Sequence, residues 1–334
     1  MLFRNSLRLL MENFKNVYKI FLYKLFVGLI AGALCSAMIL PELLEITQSA
    51  PVQELKLAVQ SFFSSLFSAD PSGLASAKEQ IFGQNGALQQ LASLIWSKAM
   101  GIILAFIGCG VVYLLQRFAD SLCYFSVGSV INDKMGKYAE TKLSLSYAAN
   151  LKKACLFSLV YVPVSFLIDA LTVALVLVLI RFVDLLPAAF LSMTAVVLLQ
   201  AIKLTWTGRW MPAMTVDNQK LGMAISRKDE AEKRQRKRVF SNYLVITYAV
   251  IIINVVGAVC TVGSALLITI PMSYLWFVCA HYVHYYTLKG KKYFITFDNI
   301  AQNPDHGDSA NFFEYMTNTN AQEKQEKEES LKTE

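Results

Sequence analysis

The chain alternates between long apolar stretches and shorter polar connections. A helix that crosses a bilayer needs about 20 mainly apolar residues, because the hydrocarbon core is roughly 30 Å thick. The pattern predicts an all-α, polytopic integral membrane bundle of six transmembrane helices within residues 1–295. The predicted spans cover approximately residues 20–40, 94–116, 155–180, 185–204, 242–262 and 265–287.

The boundaries between successive spans differ in sharpness. Residues 181–184, followed by Pro187, separate the third span from the fourth, which predicts a tight helical hairpin. Only Gly257 to Gly263 separates the fifth span from the sixth, so a single long buried helix is an alternative there. Similar small-residue motifs in the odd-numbered spans leave three pseudo-repeated hairpins open as one organisation of the bundle, with chance similarity between apolar segments as the alternative.

Two regions outside the spans have their own patterns. Residues 41–93 carry apolar positions at helical spacing, which predicts an external insertion of amphipathic interfacial helices. These helices would form a cap that packs on the bundle or a lid over a ligand. Residues 296–334 are polar and end in low-complexity sequence, which predicts a disordered cytoplasmic tail or, as the alternative, a docking motif.

Basic residues of short loops are retained on the cytoplasmic side of a membrane. They are in excess before the first span and after the second, fourth and sixth, whereas acidic residues prevail in residues 41–93. This alternation predicts a multi-pass plasma-membrane protein with both its N- and C-termini in the cytoplasm.

A run of basic residues lies immediately before the fifth span, where a topogenic anchor belongs. We expect this run to contact anionic lipid headgroups of the bilayer. Nucleic acid is not an expected partner, because the run has no interleaved aromatic residues and no recognisable binding module. The run consists of Lys233, Arg234, Arg236, Lys237 and Arg238.

Composition agrees with a membrane protein. Hydrophobic residues make up 55% of the 334 residues and charged residues only 16%, with a formal net charge of +7. The six cysteines show no paired spacing and no CxxC motif, so they predict neither a disulfide framework nor a zinc site. No metal and no cofactor is predicted.

Polar residues inside the spans are the candidates for chemistry. Asp169 lies near the middle of the third span, where an ionised Asp costs about 2.5 to 3.5 kcal/mol. Asn254 in the fifth span and Thr194 in the fourth are candidate partners at similar depth. Asp169 is interpreted either as an ion or proton site or as part of a buried hydrogen bond that fixes helix packing, and the structural role is favoured.

Two further patterns favour structural roles. Gly28, Gly32 and Ser36 recur every fourth residue in the first span and predict a face for close helix packing. His281 and His284 lie on one helical face, but a metal site would want a clear third ligand. An aromatic interfacial belt that includes both histidines is the favoured interpretation.

The segment WMPAMTVDNQKLGMAIS, from Trp210 to Ser226, is followed by a basic stretch and another span. Through Pro212, Asp217, Gly222 and Ala224 to Ser226 it resembles bacterial six-span membrane domains. These include the membrane-anchor domain of some glycerophosphodiester phosphodiesterases and uncharacterised relatives. The resemblance implies a bacterial integral-membrane module without chemistry of its own.

No HExxH, GxSxG, P-loop or GxGD motif is found, so an enzyme is disfavoured and no catalytic residue is predicted. The leading hypothesis is a non-enzymatic scaffold, assembly or membrane-stress component that associates with another membrane protein or forms a homo-oligomer. The alternative is a small-molecule or ion transporter or channel subunit that uses Asp169. A third class, a lipid-modifying enzyme, would need a carboxylate or His cluster near Trp206 to Asp217, where Asp217 stands alone.

Overall fold

The computed structural model describes residues 2–68, 70–83, 86–226, 230–296, 299–301 and 310–311. Within these ranges the chain forms twelve helices and three short strands. The helices are α1 (Leu2–Glu12), α2 (Lys15–Thr47), α3 (Ala50–Phe67), α4 (Pro71–Phe82), α5 (Ala87–Ser97), α6 (Ala99–Lys137), α7 (Leu143–Phe182), α8 (Leu185–Thr207), α9 (Trp210–Val216), α10 (Leu221–Ile225), α11 (Glu230–Cys260) and α12 (Leu266–Leu288). The strands β1 (Tyr293–Thr296), β2 (Asn299–Ala301) and β3 (Ala310–Asn311) form one antiparallel sheet in the order β1-β2-β3.

Six helical segments of the described chain are long and apolar enough to cross a membrane, which confirms the predicted all-α polytopic class. They are Lys15–Thr47, Ala99–Lys137, Leu143–Phe182, Pro187–Val216, Gln235–Cys260 and Leu266–Leu288. The tight turn between α7 and α8 lies where the sequence predicts it. The alternative of one long helix across residues 242–287 is wrong, because α11 ends at Cys260 and α12 begins at Leu266.

Several helices extend well beyond the length that a membrane requires. With 39 residues in α6 and 40 in α7, each is about 60 Å long at 1.5 Å per residue, roughly twice the hydrocarbon thickness. The chain divides into two compact units, one of residues 26–117 and one of residues 1–25 and 118–334. The boundaries between the two units, at residues 25–26 and 117–118, lie within α2 and α6.

The smaller unit holds the predicted external insertion. Residues 41–93 comprise the end of α2, then α3, α4 and most of α5, and α3 packs on both α4 and α5. Asp70 caps α4, because its carboxylate accepts a hydrogen bond from the Ser72 amide at 3.1 Å. Lys98, just after α5, forms an ion pair with Glu45 at the end of α2.

The larger unit has a core built around the C-terminal half of α12. Every residue from Val278 to Thr287 on that helix is buried, which is typical of a helix enclosed on all sides. The N-terminal helix α1 packs against it, and the Trp276 indole donates a hydrogen bond to the Ser6 hydroxyl at 3.1 Å. By contrast, Leu171 and Leu177 on α7 remain 59% and 62% exposed, as expected of a surface that faces lipid.

The three-stranded sheet was not predicted. Tyr293 of β1 is buried, and its hydroxyl accepts a hydrogen bond from the Asn5 side chain of α1 at 3.0 Å. Strands β2 and β3 belong to the segment that the sequence assigns to a disordered tail. The rest of residues 302–334 lies outside the described residues, and so does that part of the prediction.

Candidate functional site

The Asp169 side chain forms the principal polar cluster between α7 and α8. Lys203 donates a hydrogen bond to its Oδ1 atom at 2.8 Å, and Gln200 donates to the same atom at 2.9 Å. The Lys203 side chain is only 9% exposed and that of Asp169 20%. Asp169 is therefore one half of a largely buried ion pair.

The hairpin geometry explains this pairing. The helices α7 and α8 are antiparallel neighbours joined by the short turn at residues 183–184, so residues at comparable distances from the turn meet. Sequence reasoning missed both Lys203 and Gln200. The available signal was a lysine inside an otherwise apolar span.

Asn254 belongs to a second, separate polar cluster between α11 and α12. Its amide donates to the Ser273 hydroxyl at 2.9 Å, and its carbonyl oxygen accepts from the Thr269 hydroxyl at 2.8 Å. Thr194 donates to the Phe190 carbonyl of its own helix at 2.9 Å. The expectation that Asn254 and Thr194 are partners of Asp169 is therefore wrong.

The small-residue face of α2 is open. A Cβ atom added at Gly28 or Gly32 would meet nothing within 4 Å in the described structure, and Gly32 and Ser36 are exposed. No helix of the described chain lies against Gly28 or Gly32, so close helix packing at Gly28, Gly32 and Ser36 stays a prediction.

The basic run before the fifth span lies at the start of α11. The side chains of Arg236, Lys237 and Arg238 are exposed. The side chains of Lys233 and Arg234 lie outside the described residues. Exposure is what contact with lipid headgroups requires, and that contact remains a prediction.

The two histidines of α12 lie in the protein core and not in an exposed interfacial belt, which corrects that interpretation. His281 and His284 are each 3% exposed, and the Tyr243 hydroxyl of α11 lies 2.5 Å from Nδ1 of His281. The Tyr243 ring also lies 4.6 Å from the His284 ring. Among the described residues, no three His, Cys, Asp or Glu side chains come together as a metal site would require.

Asp217, at the end of α9, forms hydrogen bonds with residues at the end of α12. Its carboxylate accepts hydrogen bonds from the Tyr285 hydroxyl at 2.5 Å and from the Lys291 ammonium at 2.6 Å. Burial raises the pKa of Asp217, but these hydrogen bonds and the charges of Lys291 and Lys289 outweigh burial and lower the pKa below its ordinary value. The one carboxylate that a lipid-modifying enzyme could have used here is thus held by two structural contacts.

A polar cavity of about 290 Å³ lies between α6, α7 and the end of α9. Four of its polar side chains form two pairs across the lining. The Thr141 hydroxyl donates to Asp133 at 2.6 Å, and Lys153 donates to the Asn218 side chain at 2.8 Å. These contacts join neighbouring segments of the larger unit.

The fold and its buried polar pairs define a multi-pass helical membrane protein. No protein family matches the chain, and no curated protein or solved structure is similar to it. The resemblance of Trp210 to Ser226 to bacterial six-span membrane domains stays a prediction.

Proposed function

We propose that this protein is a non-enzymatic scaffold or assembly component of a bacterial plasma membrane, with both termini in the cytoplasm. One observation carries the proposal: Asp169 and Asn254, the two candidate polar residues deepest in the spans, each pair inside their own hairpin. Asp169 bonds to Lys203 between α7 and α8, and Asn254 bonds to Ser273 and Thr269 between α11 and α12. These groups satisfy one another and do not converge on a common site.

The ion pair supports a role in assembly over a role in transport. A transported cation or proton needs a carboxylate whose charge is available to it. Lys203 lies 2.8 Å from Asp169 and supplies a counter-ion from within the protein. Such a pair fixes which helices lie side by side and in what register, because displacing one partner leaves the other charge buried and unpaired.

The surface of the spans supports association with other membrane components. Large apolar side chains on α2, α6 and α7 are exposed, including Leu29, Phe106 and Leu167 at 65%, 66% and 67%. In a bilayer these side chains contact lipid tails or the helices of a partner. The partner that we propose is another membrane protein or a second copy of this chain.

A transporter or channel subunit that uses Asp169 is the second candidate, because the Asp169 side chain retains 20% exposure. The two candidates are separated by reconstituting the full-length protein in vesicles that contain pH- and cation-sensitive dyes. We expect no flux that depends on Asp169, and we expect Asp169→Asn to change only folding or abundance. A pH-dependent flux that disappears in Asp169→Asn at unchanged protein level, but persists in the control Thr194→Val, would overturn the scaffold proposal.

A further inference from the structure

Four lysines surround one small pocket of the larger unit. Lys15 and Lys19 come from the start of α2, Lys134 from the end of α6, and Lys142 from the N-cap of α7. The pocket has a volume of about 90 Å³. A single water needs about 10 to 15 Å³ by the same measure, so the pocket has room for several waters or for one phosphoryl group.

Two of the four lysines have carboxylate partners. Lys15 forms an ion pair with Glu140 at 2.5 Å, and Lys134 forms one with Glu12 at 3.2 Å. The other two lysines are exposed and pair with no carboxylate in the described part of the chain. The pocket therefore keeps an excess of positive charge after its internal ion pairs are formed.

The Glu140 carboxyl also lines the pocket, and the nearby lysines affect its pKa. The hydrogen bond and charge of Lys15, followed by the charges of Lys134 and Lys19, lower the pKa of the Glu140 carboxyl below its ordinary value. The charges of three lysines thus stabilise the ionised form of one carboxyl at the pocket wall. An anion that enters the pocket is attracted by the same lysines and repelled by the Glu140 carboxylate, and the four lysines outnumber that one carboxylate in the lining.

Asn16 supplies an independent indication of a ligand. The residue is only 6% exposed, it lines the pocket, and its side-chain amide has no hydrogen-bond partner in the described chain. The polar atoms of this amide are open to the pocket and are not sealed in the core. An acceptor bound in the pocket can therefore accept a hydrogen bond from Asn16.

The start of α7 lies at the wall of the pocket. Lys142 is the N-cap residue of α7 and makes no side-chain capping hydrogen bond, so the first amides of the helix are left without a cap. The helix dipole favours an anion near a helix N-terminus, and Lys142 at this N-terminus lines the pocket. Asn16 and the lysines provide donors suited to the several oxygens of one phosphoryl group.

We propose that this pocket binds a phosphoryl group, presented either by the headgroup of an anionic phospholipid or by a soluble phosphate ester. It is separate from the basic run at the start of α11, and the proposal goes beyond the scaffold function. Tyr18 and Leu22, which flank the pocket lysines on α2, are 54% and 61% exposed. When the phosphoryl group belongs to a lipid, these two side chains provide an apolar surface that the acyl chains can contact.

The proposal is tested by measuring binding of short-chain phosphatidate and of glycerol phosphate to the full-length protein in non-ionic detergent micelles. Replacing Lys19 and Lys142 together by Gln should raise the Kd about 25-fold, from roughly fivefold for each lysine. Lys152→Gln with Lys220→Gln is the matched control, because both lysines are exposed, lie outside the pocket and carry the same charge. The control should change the Kd less than about twofold.

A second variant, Asn16→Asp, guards against misfolding of the lysine variant. It preserves the shape of the side chain and places a negative charge in the pocket, so it should weaken binding at least as strongly as the loss of one lysine. Phosphatidate binding that glycerol phosphate does not displace identifies the lipid as the source, whereas equal competition identifies a soluble ester. The proposal is overturned if neither probe binds saturably, or if the control pair weakens binding as much as the pocket variants.

Discussion

Lys203 of α8 donates a 2.8 Å hydrogen bond to Asp169 of α7, and both side chains are largely buried between the two helices. An unpaired charge at this place would be costly, because both side chains are largely removed from water. The pair therefore makes each residue's contribution to stability depend on the presence of the other.

The first prediction is that the two residues are strongly coupled. Lys203→Leu alone should lower the free energy of unfolding by about 3 to 5 kcal/mol, because it leaves Asp169 buried without its counter-ion. The double variant Asp169→Leu, Lys203→Leu should remain close to the original protein. Reversible unfolding in mixed micelles, arranged as a double-mutant cycle, measures the coupling. Additive losses would show that the ion pair does not hold these helices together.

The second prediction concerns the α11–α12 hairpin. Asn254→Leu removes hydrogen bonds to both Ser273 and Thr269 and should cost about 1 kcal/mol, within the range measured for such contacts between membrane helices. Thr194→Val should have almost no effect, because within the described residues the Thr194 hydroxyl bonds only to the Phe190 carbonyl one turn earlier. The same unfolding assay compares the two variants. Equal losses would mean that the contacts between helices contribute nothing specific.

The spans were predictable because hydrocarbon requires a long uninterrupted apolar helix, and that requirement is visible in a single sequence. The partner of Asp169 was not predictable, because its position depends on how α7 and α8 pack after the turn. The burial of His281 and His284 could not be predicted from the sequence either. Aromatic and small apolar residues look alike whether they face lipid or a protein core, and only the packing of α1 and α11 around α12 distinguishes the two.

The third prediction tests that core at Gly208, which follows α8. A Cβ atom there would lie 2.6 Å from both Nδ1 of His281 and the Tyr243 hydroxyl, closer than real Cβ contacts. Gly208→Ala should therefore cost about 1 to 3 kcal/mol of stability through overpacking. Gly32→Ala is the control, because a Cβ at Gly32 would meet nothing within 4 Å. Thermal unfolding in detergent should show a lowered midpoint for Gly208→Ala only, and an unchanged midpoint would contradict the close packing seen here.

The fourth prediction is an acid dependence that originates at Asp217. Its pKa is lowered in the folded protein, so its contribution to stability is complete above the unfolded pKa of about 3.9 and is lost as the pH falls through the lower folded value. The unfolding free energy should therefore decrease below about pH 4. Asp217→Asn should be less stable at neutral pH and should show a weaker acid dependence. An identical acid profile in this variant would place the dependence on other groups.

The fifth prediction is the orientation that the distribution of basic residues implies. Lys78 on α4 and Lys237 on α11 are both exposed, and they belong to connections predicted to lie on opposite sides of the membrane. Each is replaced by Cys in a chain that retains only the buried Cys123 and Cys279. A membrane-impermeant thiol reagent added to intact cells should label position 78, whereas position 237 should react only after the membrane is permeabilised. Labelling of both positions from outside would contradict the proposed orientation, because residues 41–93 and the start of α11 would then share one compartment.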